Sequence, residues 1–365
     1  MKAASRAYPV IVAVAALFLA LSAAPAAFAR SLSVKQPQIF GVDEPDAWRH
    51  NPAHASPSEI AGMVSDIGAS SHEFWVHWDT VEPNAPVGGL HRYNFSQYDA
   101  MYNADVARGI KPLITIQSSP SWTWQPGLVN TWGPEQPPSP QHYPEWRAFL
   151  AQVAKRYPKA VGIQIWNEPN LAAFWGLWDP LAPTDPVAYT ELLKQAYVAI
   201  KSARPAMQVI GGTINNNGIT GGGNISEPDF AAAMFADGAG RYMDGISVHP
   251  YPNIPQDLYF RQGLDQIRAA MSAAGVRRPI WITEVGITTT GPTAVTEQQQ
   301  ADLEVQLLNE ARGMSDVAAL YVHNLTEVTQ DPTNPEMGYG LVRGQGVGSS
   351  FPRKPAFLAL KQAAG

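Results

Sequence analysis

The chain has no cysteine in its 365 residues. That absence excludes disulfides, thiolate metal sites, a cysteine nucleophile and a lipobox-type lipid anchor, and it leaves packing as the source of stability. Charge is also sparse: Asp, Glu, Lys and Arg make up 15% of the residues, the net charge is −6, and no basic run reverses that sign. A nucleic-acid partner calls for a clustered cationic face, so that class falls away. There is no glycine-rich phosphate loop, and no histidine–carboxylate cluster with metal-ligand spacing, so neither a cofactor nor a metal is expected. The apolar stretch Val10 to Leu21 is short for a membrane span. It follows Lys2 and Arg6 and precedes the small-x-small sequence Ala27-Phe28-Ala29. This pattern reads as a secretory signal peptide over residues 1–29, cleaved before Arg30. The expected mature product is therefore exported, secreted or periplasmic, and free of the membrane; with its alanine-rich, disulfide-free composition it reads as bacterial.

What is present is a regular series of short apolar runs. Candidate strands are Ile39–Val42, Glu73–His77, Pro112–Gln117, Val161–Trp166, Gln208–Gly212, Gly245–His249, Ile280–Glu284 and Leu320–Asn324. They recur at roughly 35–50 residues, the βα rhythm of a (β/α)8 TIM barrel. Strands buried on both faces read as near-continuous apolar runs, as these do. Helix start signals lie between them. Ser56-Pro57-Ser58-Glu59 and Thr296-Glu297-Gln298-Gln299 are capping boxes, and Pro186 to Ala203 carries an amphipathic face. No linker or low-complexity boundary interrupts Arg30–Gly365, which predicts a single α/β domain over residues 30–365.

Two glutamates stand just past strand-like runs, in Trp166-Asn167-Glu168-Pro169-Asn170 and Trp281-Ile282-Thr283-Glu284-Val285-Gly286. Chemistry in a barrel collects at the carboxyl ends of the strands, so the two are placed to face one ligand. A carboxyl pair flanking one bond is what glycoside hydrolysis requires. Ser247-Val248-His249-Pro250-Tyr251 ends the sixth strand. From there Tyr251 can donate its hydroxyl to Glu284, and His249 can bond a sugar hydroxyl.

Taken together, Trp166-Asn167-Glu168-Pro169, His249-x-Tyr251 and Thr283-Glu284 resemble the retaining glycoside hydrolases of clan A. Asn170-Leu171 with Phe174-Trp175, Trp78-Asp79-Thr80-Val81-Glu82-Pro83, Gly338-Tyr339-Gly340-Leu341 and Lys354-Pro355-Ala356-Phe357 look most like family 39, in its bacterial exopolysaccharide-hydrolase branch. The resemblance implies Glu168 as general acid/base, Glu284 as nucleophile and Asn167 as the partner of the sugar 2-hydroxyl. The acid must begin protonated, so Glu168 is expected to hold its proton more tightly than Glu284. Neighbouring strand residues point oppositely, so Asn167 and Glu168 can share the site only if a bulge interrupts strand four.

The sequence departs from the family pattern in three places. The usual strand-two arginine is replaced by Glu73, a third carboxylate that would repel the pair unless protonated or turned away. Tyr321-Val322-His323-Asn324 offers no tryptophan at the end of strand eight, where His323 stands instead. Family xylosidases carry an appended β-sandwich, for which these residues leave no room. Tryptophans crowd the loops after strands three and four, at Trp122, Trp124, Trp132, Trp175 and Trp178. Sugar rings stack on exposed indoles, and Trp122 and Trp175 are the expected contacts; packing among the loops is the alternative for each. The expected activity is a glycosidase cleaving O-glycosidic bonds of a polysaccharide or oligosaccharide. A non-catalytic carbohydrate-binding or matrix protein on this scaffold, and a transglycosylase, are the competing classes.

Overall fold

The eight runs do form eight parallel strands: β1 Ile39–Asp43, β2 Ser71–His77, β3 Leu113–Gln117, β4 Gly162–Ile165, β5 Val209–Asn215, β6 Gly245–His249, β7 Ile280–Val285 and β8 Val317–His323. Each pairs with its neighbours in sequence order, and β8 closes on β1 through Ile39↔Ala319 to Asp43↔His323. The computed structural model describes residues 38–44, 55–126, 136–176, 184–216, 220–252, 259–327, 332–343 and 351–365. The expected signal segment, Trp132 and Trp178 lie outside the described residues.

The helices in chain order are α1 Pro57–Asp66, the short α2 Trp78–Val81, α3 Ser96–Ala107, α4 Tyr143–Arg156, α5 Pro186–Ala203, α6 Glu227–Ala236, α7 Tyr259–Ala273, α8 Glu297–Arg312 and α9 Pro355–Ala364. Both expected capping boxes are formed. The Ser56 side chain accepts from the backbone of Glu59, whose carboxylate accepts from Ser56 N at 2.7 Å; Thr296 and Gln299 repeat the exchange at the start of α8. A good N-cap stabilises a helix by about 1 kcal/mol. None of the described helices is long and apolar enough to cross a membrane.

Alternation along the strands divides the sheet into two surfaces. Outward residues such as Phe74, Val76, Ile114, Ile163 and Val248 join the large core under the helices. Inward residues build a second, smaller cluster of Leu113, Ile210, Trp281, Ala319 and Tyr321. Tyr321 fills the barrel because β1 has Gly41 opposite it; a Cβ there would lie 2.3 Å from the ring. Its hydroxyl pairs with Ser71 Oγ at 2.8 Å.

Nearer the carboxyl ends of the strands the interior turns polar. Glu73 accepts from Thr115 Oγ1 at 2.5 Å and from Gln164 Nε2 at 3.0 Å. Burial, reinforced by Asp43 and opposed by the Thr115 bond, drives its carboxyl well above the usual range. Burial thus favours the protonated form of Glu73 inside the barrel. Of the two ways in which a third carboxylate here would not repel the pair, protonation is the one that burial favours, and the Glu73 bonds run across the barrel to β3 and β4.

Candidate active site

Strand β4 ends at Ile165, and the chain leaves it through an unusual turn. Trp166 has φ +71° and Glu168 φ +39°, in the left-handed region that costs most residues about 1–3 kcal/mol. Ser118 after β3 and Thr213 in β5 share this conformation, so the strained residues cluster on three adjacent strands. The turn is held from several sides. Trp166 Nε1 donates to Phe174 O at 2.7 Å, and Asn167 N donates to Gln117 Oε1 at 3.0 Å. Asn170 Nδ2 donates to Asn215 O and Ile225 O, while its Oδ1 accepts from Asn215 N. The expected bulge in β4 is absent: its pairing with β3 runs unbroken from Leu113↔Gly162 to Ile116↔Ile165. The positive φ at Trp166 re-aims the chain instead. A register shift does occur one strand over, between Gly212 and Ile214 of β5.

That shift carries β5 on to Asn215, whose Nδ2 donates to Glu168 Oε1 at 2.6 Å. The second partner of the same oxygen is His249, with Nδ1 at 2.8 Å. His249 Nδ1 also lies 3.4 Å from Glu284 Oε2, and its Nε2 faces Thr283 Oγ1 at 3.0 Å. Both ring nitrogens are therefore engaged. His249 bridges the two carboxyls, which corrects the expectation that it offers a free nitrogen to a sugar hydroxyl. Tyr251 does donate to Glu284 Oε2, at 3.0 Å. Burial, then Glu284, raises the Tyr251 phenol well above its usual value, so the hydroxyl keeps its proton to donate. One carboxyl oxygen from each of Glu168 and Glu284 and a nitrogen of His249 lie within 4.8 Å of one another. Glu168 and Glu284 are only 5% and 6% exposed, so the pair is sheltered yet reachable.

Glu284 is pushed up to about 8, first by burial, with Asp43 and Glu168 adding and His249 and His323 opposing. Its tight hold on a proton runs against the expectation that the nucleophile is the readily ionised member. The physical reason is that burial strips water from Glu284 while other carboxyls surround it.

Two partners of the glutamates escape the sequence reading: Asn215, beside Glu168, and Asp43, near Glu284. Asp43, at the end of β1, accepts from His323 Nδ1 at 2.6 Å, and an atom of each lies within 4.8 Å of Glu284. Asp43 belongs to no motif, and its approach to β8 exists only through barrel closure. The two sets Asp43–Glu284–His323 and Glu168–His249–Glu284 also have the residue types of metal ligands, which the sequence spacing does not reveal. Two ligands on one zinc at about 2.0–2.1 Å each, in tetrahedral array, stand about 3.3 Å apart. The histidine–carboxylate contacts of 2.6 and 2.8 Å are hydrogen-bond lengths instead.

Asn167 is buried, and its Oδ1 has no hydrogen-bond partner. Trp122 is half-buried, donates to Glu82 O at 3.2 Å and meets Trp78 edge-on. Trp175 is 3% exposed and packs against Trp166 and Tyr189. Its ring has no open face for a sugar, so packing, the alternative reading, describes it.

No family model matches the chain. A beta-xylosidase of Geobacillus stearothermophilus is 28% identical over 131 residues, covering 33% of this chain and 25% of that protein. Among solved structures, a family 39 glycoside hydrolase from Bacteroides cellulosilyticus superposes with a TM-score of 0.64 at 22% identity, over 89% of this chain and 63% of that one. A monomeric beta-xylosidase from Caulobacter crescentus gives 0.64 at 20% identity, over 89% and 67%. The chain thus spans a quarter of the curated relative and under two thirds of the first structural one. The shared feature is the fold.

Proposed function

We propose that this chain is an exported retaining glycosidase of a poly- or oligosaccharide, with Glu168 as acid/base and Glu284 as nucleophile. The observation that carries the reading is the sheltered carboxyl pair, within 4.8 Å of each other at the carboxyl ends of the strands. Retaining enzymes hold their carboxyls about 5 Å apart, with no room for a water between acid and base. Glu284, in its ionised form, attacks the anomeric carbon and breaks the bond to the leaving oxygen, which takes the proton of Glu168. Glu168 then takes a proton from water, which releases the sugar from Glu284. Asn215 and His249 both occupy Oε1 of Glu168, leaving Oε2 for the proton transfer. Asn167, with its unsatisfied Oδ1, accepts from the sugar 2-hydroxyl.

Charge narrows the sugar. The five successive connections after β3 to β7, residues 118–142, 166–185, 216–226, 250–258 and 286–296, contain no lysine or arginine. Cations stand instead in the connections after β1, β2 and β8, at Arg49, Arg92, Arg343, Arg353 and Lys354, so on the β3 to β7 side of the mouth a neutral or cationic sugar unit fits better than an anionic one. The test is reducing-end release from polysaccharides by the mature protein, beside Glu168→Gln and Glu284→Gln. Release by the wild type, reduced at least about a hundredfold in both variants, is expected. Near-wild-type rates in either variant would remove that residue from the mechanism, and sugar binding without any release would favour the carbohydrate-binding reading.

A further inference from the structure

We propose that Asp43 and His323, brought together from the ends of β1 and β8, form a positioning pair that governs the charge carried by Glu284. The pair is fully internal on one side and nearly so on the other: the Asp43 side chain is 0% and that of His323 10% exposed. Their 2.6 Å contact fixes the imidazole, whose ring also meets Tyr251 at 6.0 Å and Tyr339 at 5.3 Å. Tyr251 in turn donates to Glu284. The pair thus reaches Glu284 by two routes, by charge and through the packing of Tyr251.

Among the described residues, the titratable groups facing Glu284 are Asp43 from β1, Glu168 after β4, His249 and Tyr251 from β6 and its end, and His323 and Tyr339 from β8 and the loop beyond. Asp43 and Glu168 favour the protonated carboxyl, and His249 and His323 the ionised one. Asp43 alone would therefore oppose the ionised nucleophile, and His323 is the group placed to offset it. Asp43 in return holds the imidazole in position. Burial holds Glu73, on the neighbouring strand, toward its protonated form.

The kinetic consequence rests on the glycosidase reading, but the titration does not. Glutamate labelled with carbon-13 at the carboxyl, with the Glu284 signal assigned through Glu284→Gln, reports ionisation directly in the free protein. His323→Gln should move the Glu284 midpoint upward and Asp43→Asn downward, each by about one pH unit. The double variant should lie between the single ones. Unmoved midpoints, or two shifts in the same direction, would overturn the proposal. Should His323→Gln fail to fold, Asp43→Asn decides alone, an unchanged midpoint counting against it. On 2,4-dinitrophenyl glycosides, the acid limb of kcat/KM should follow these shifts, and Asp43→Asn should restore at least part of the rate lost in His323→Gln. Wild-type inactivity on all such glycosides, together with no reducing-end release from any polysaccharide, would defeat the glycosidase reading and leave the titration result standing.

Discussion

Replacing Glu284 by glutamine should stabilise the protein, and the gain should widen as pH rises. Glu284 moves from an ordinary 4.5 to about 8 in the folded chain, chiefly through burial. A carboxyl raised on folding binds its proton more tightly in the folded state. Its contribution to stability is therefore whole below the unfolded value and is lost as pH rises from there through about 8. At about 1.36 kcal/mol per pH unit, the loss is about 3 kcal/mol by pH 7 and under about 1 kcal/mol at pH 5. Glutamine keeps the shape and an acceptor for Tyr251 but has no proton to lose. With about 2 °C per kcal/mol for a domain of this size, the gap in Tm should grow by about 5 °C between pH 5 and pH 7. Glu227 and Glu304 are also raised to about 8 by burial, but both are present in the two proteins and cancel in the difference. Scanning calorimetry of wild type and Glu284→Gln at pH 5, 6, 7 and 8 measures the gap. A gap that stays constant with pH would refute the raised affinity of Glu284 for its proton.

Two further outcomes follow from single contacts. Asn215→Ala removes the 2.6 Å donor to Glu168 and should lower kcat about tenfold or more with little change in KM, as loss of a positioned acid/base requires; an unchanged kcat would show that His249 alone suffices. Gly41→Ala drives a methyl into the Tyr321 ring and should destabilise by about 1–3 kcal/mol, read as a lower urea midpoint at constant slope.

The fold is legible because each strand is buried on both faces and so announces itself as an apolar run. The ends are less so. The apolar run of β5 stops at Gly212, but Thr213 at φ +53° carries the pairing on to Asn215, and with it the partner of Glu168. Apolar patterning does not register a strand that continues through a polar, bulged end. Glu168 and Glu284 are legible from their short motifs and strand-end positions, and the Tyr251 contact from its place at the end of β6. Asp43 is not, since it meets His323 only where the last strand closes on the first. The loop tryptophans show the limit of composition: Trp122 and Trp175 are equally aromatic, yet Trp175 is enclosed by Trp166 and Tyr189 while Trp122 is left half-buried.

The polarity along the barrel axis argues for function more strongly than either glutamate alone. Leu113, Ile210, Trp281 and Ala319 form an apolar interior cluster, followed by the Tyr321–Ser71 bond and then by Glu73 with Thr115 and Gln164. Beyond these, Asp43, Glu168, His249, Glu284 and His323 are all buried, beside residues held at positive φ. Burying so many ionisable groups opposes folding, and strained backbone adds to the cost. A barrel shaped for stability alone would carry its apolar layers through to the end. The large core beneath the helices can sustain a polar, strained mouth, and that cost is concentrated at one end of the strands, where the candidate site lies.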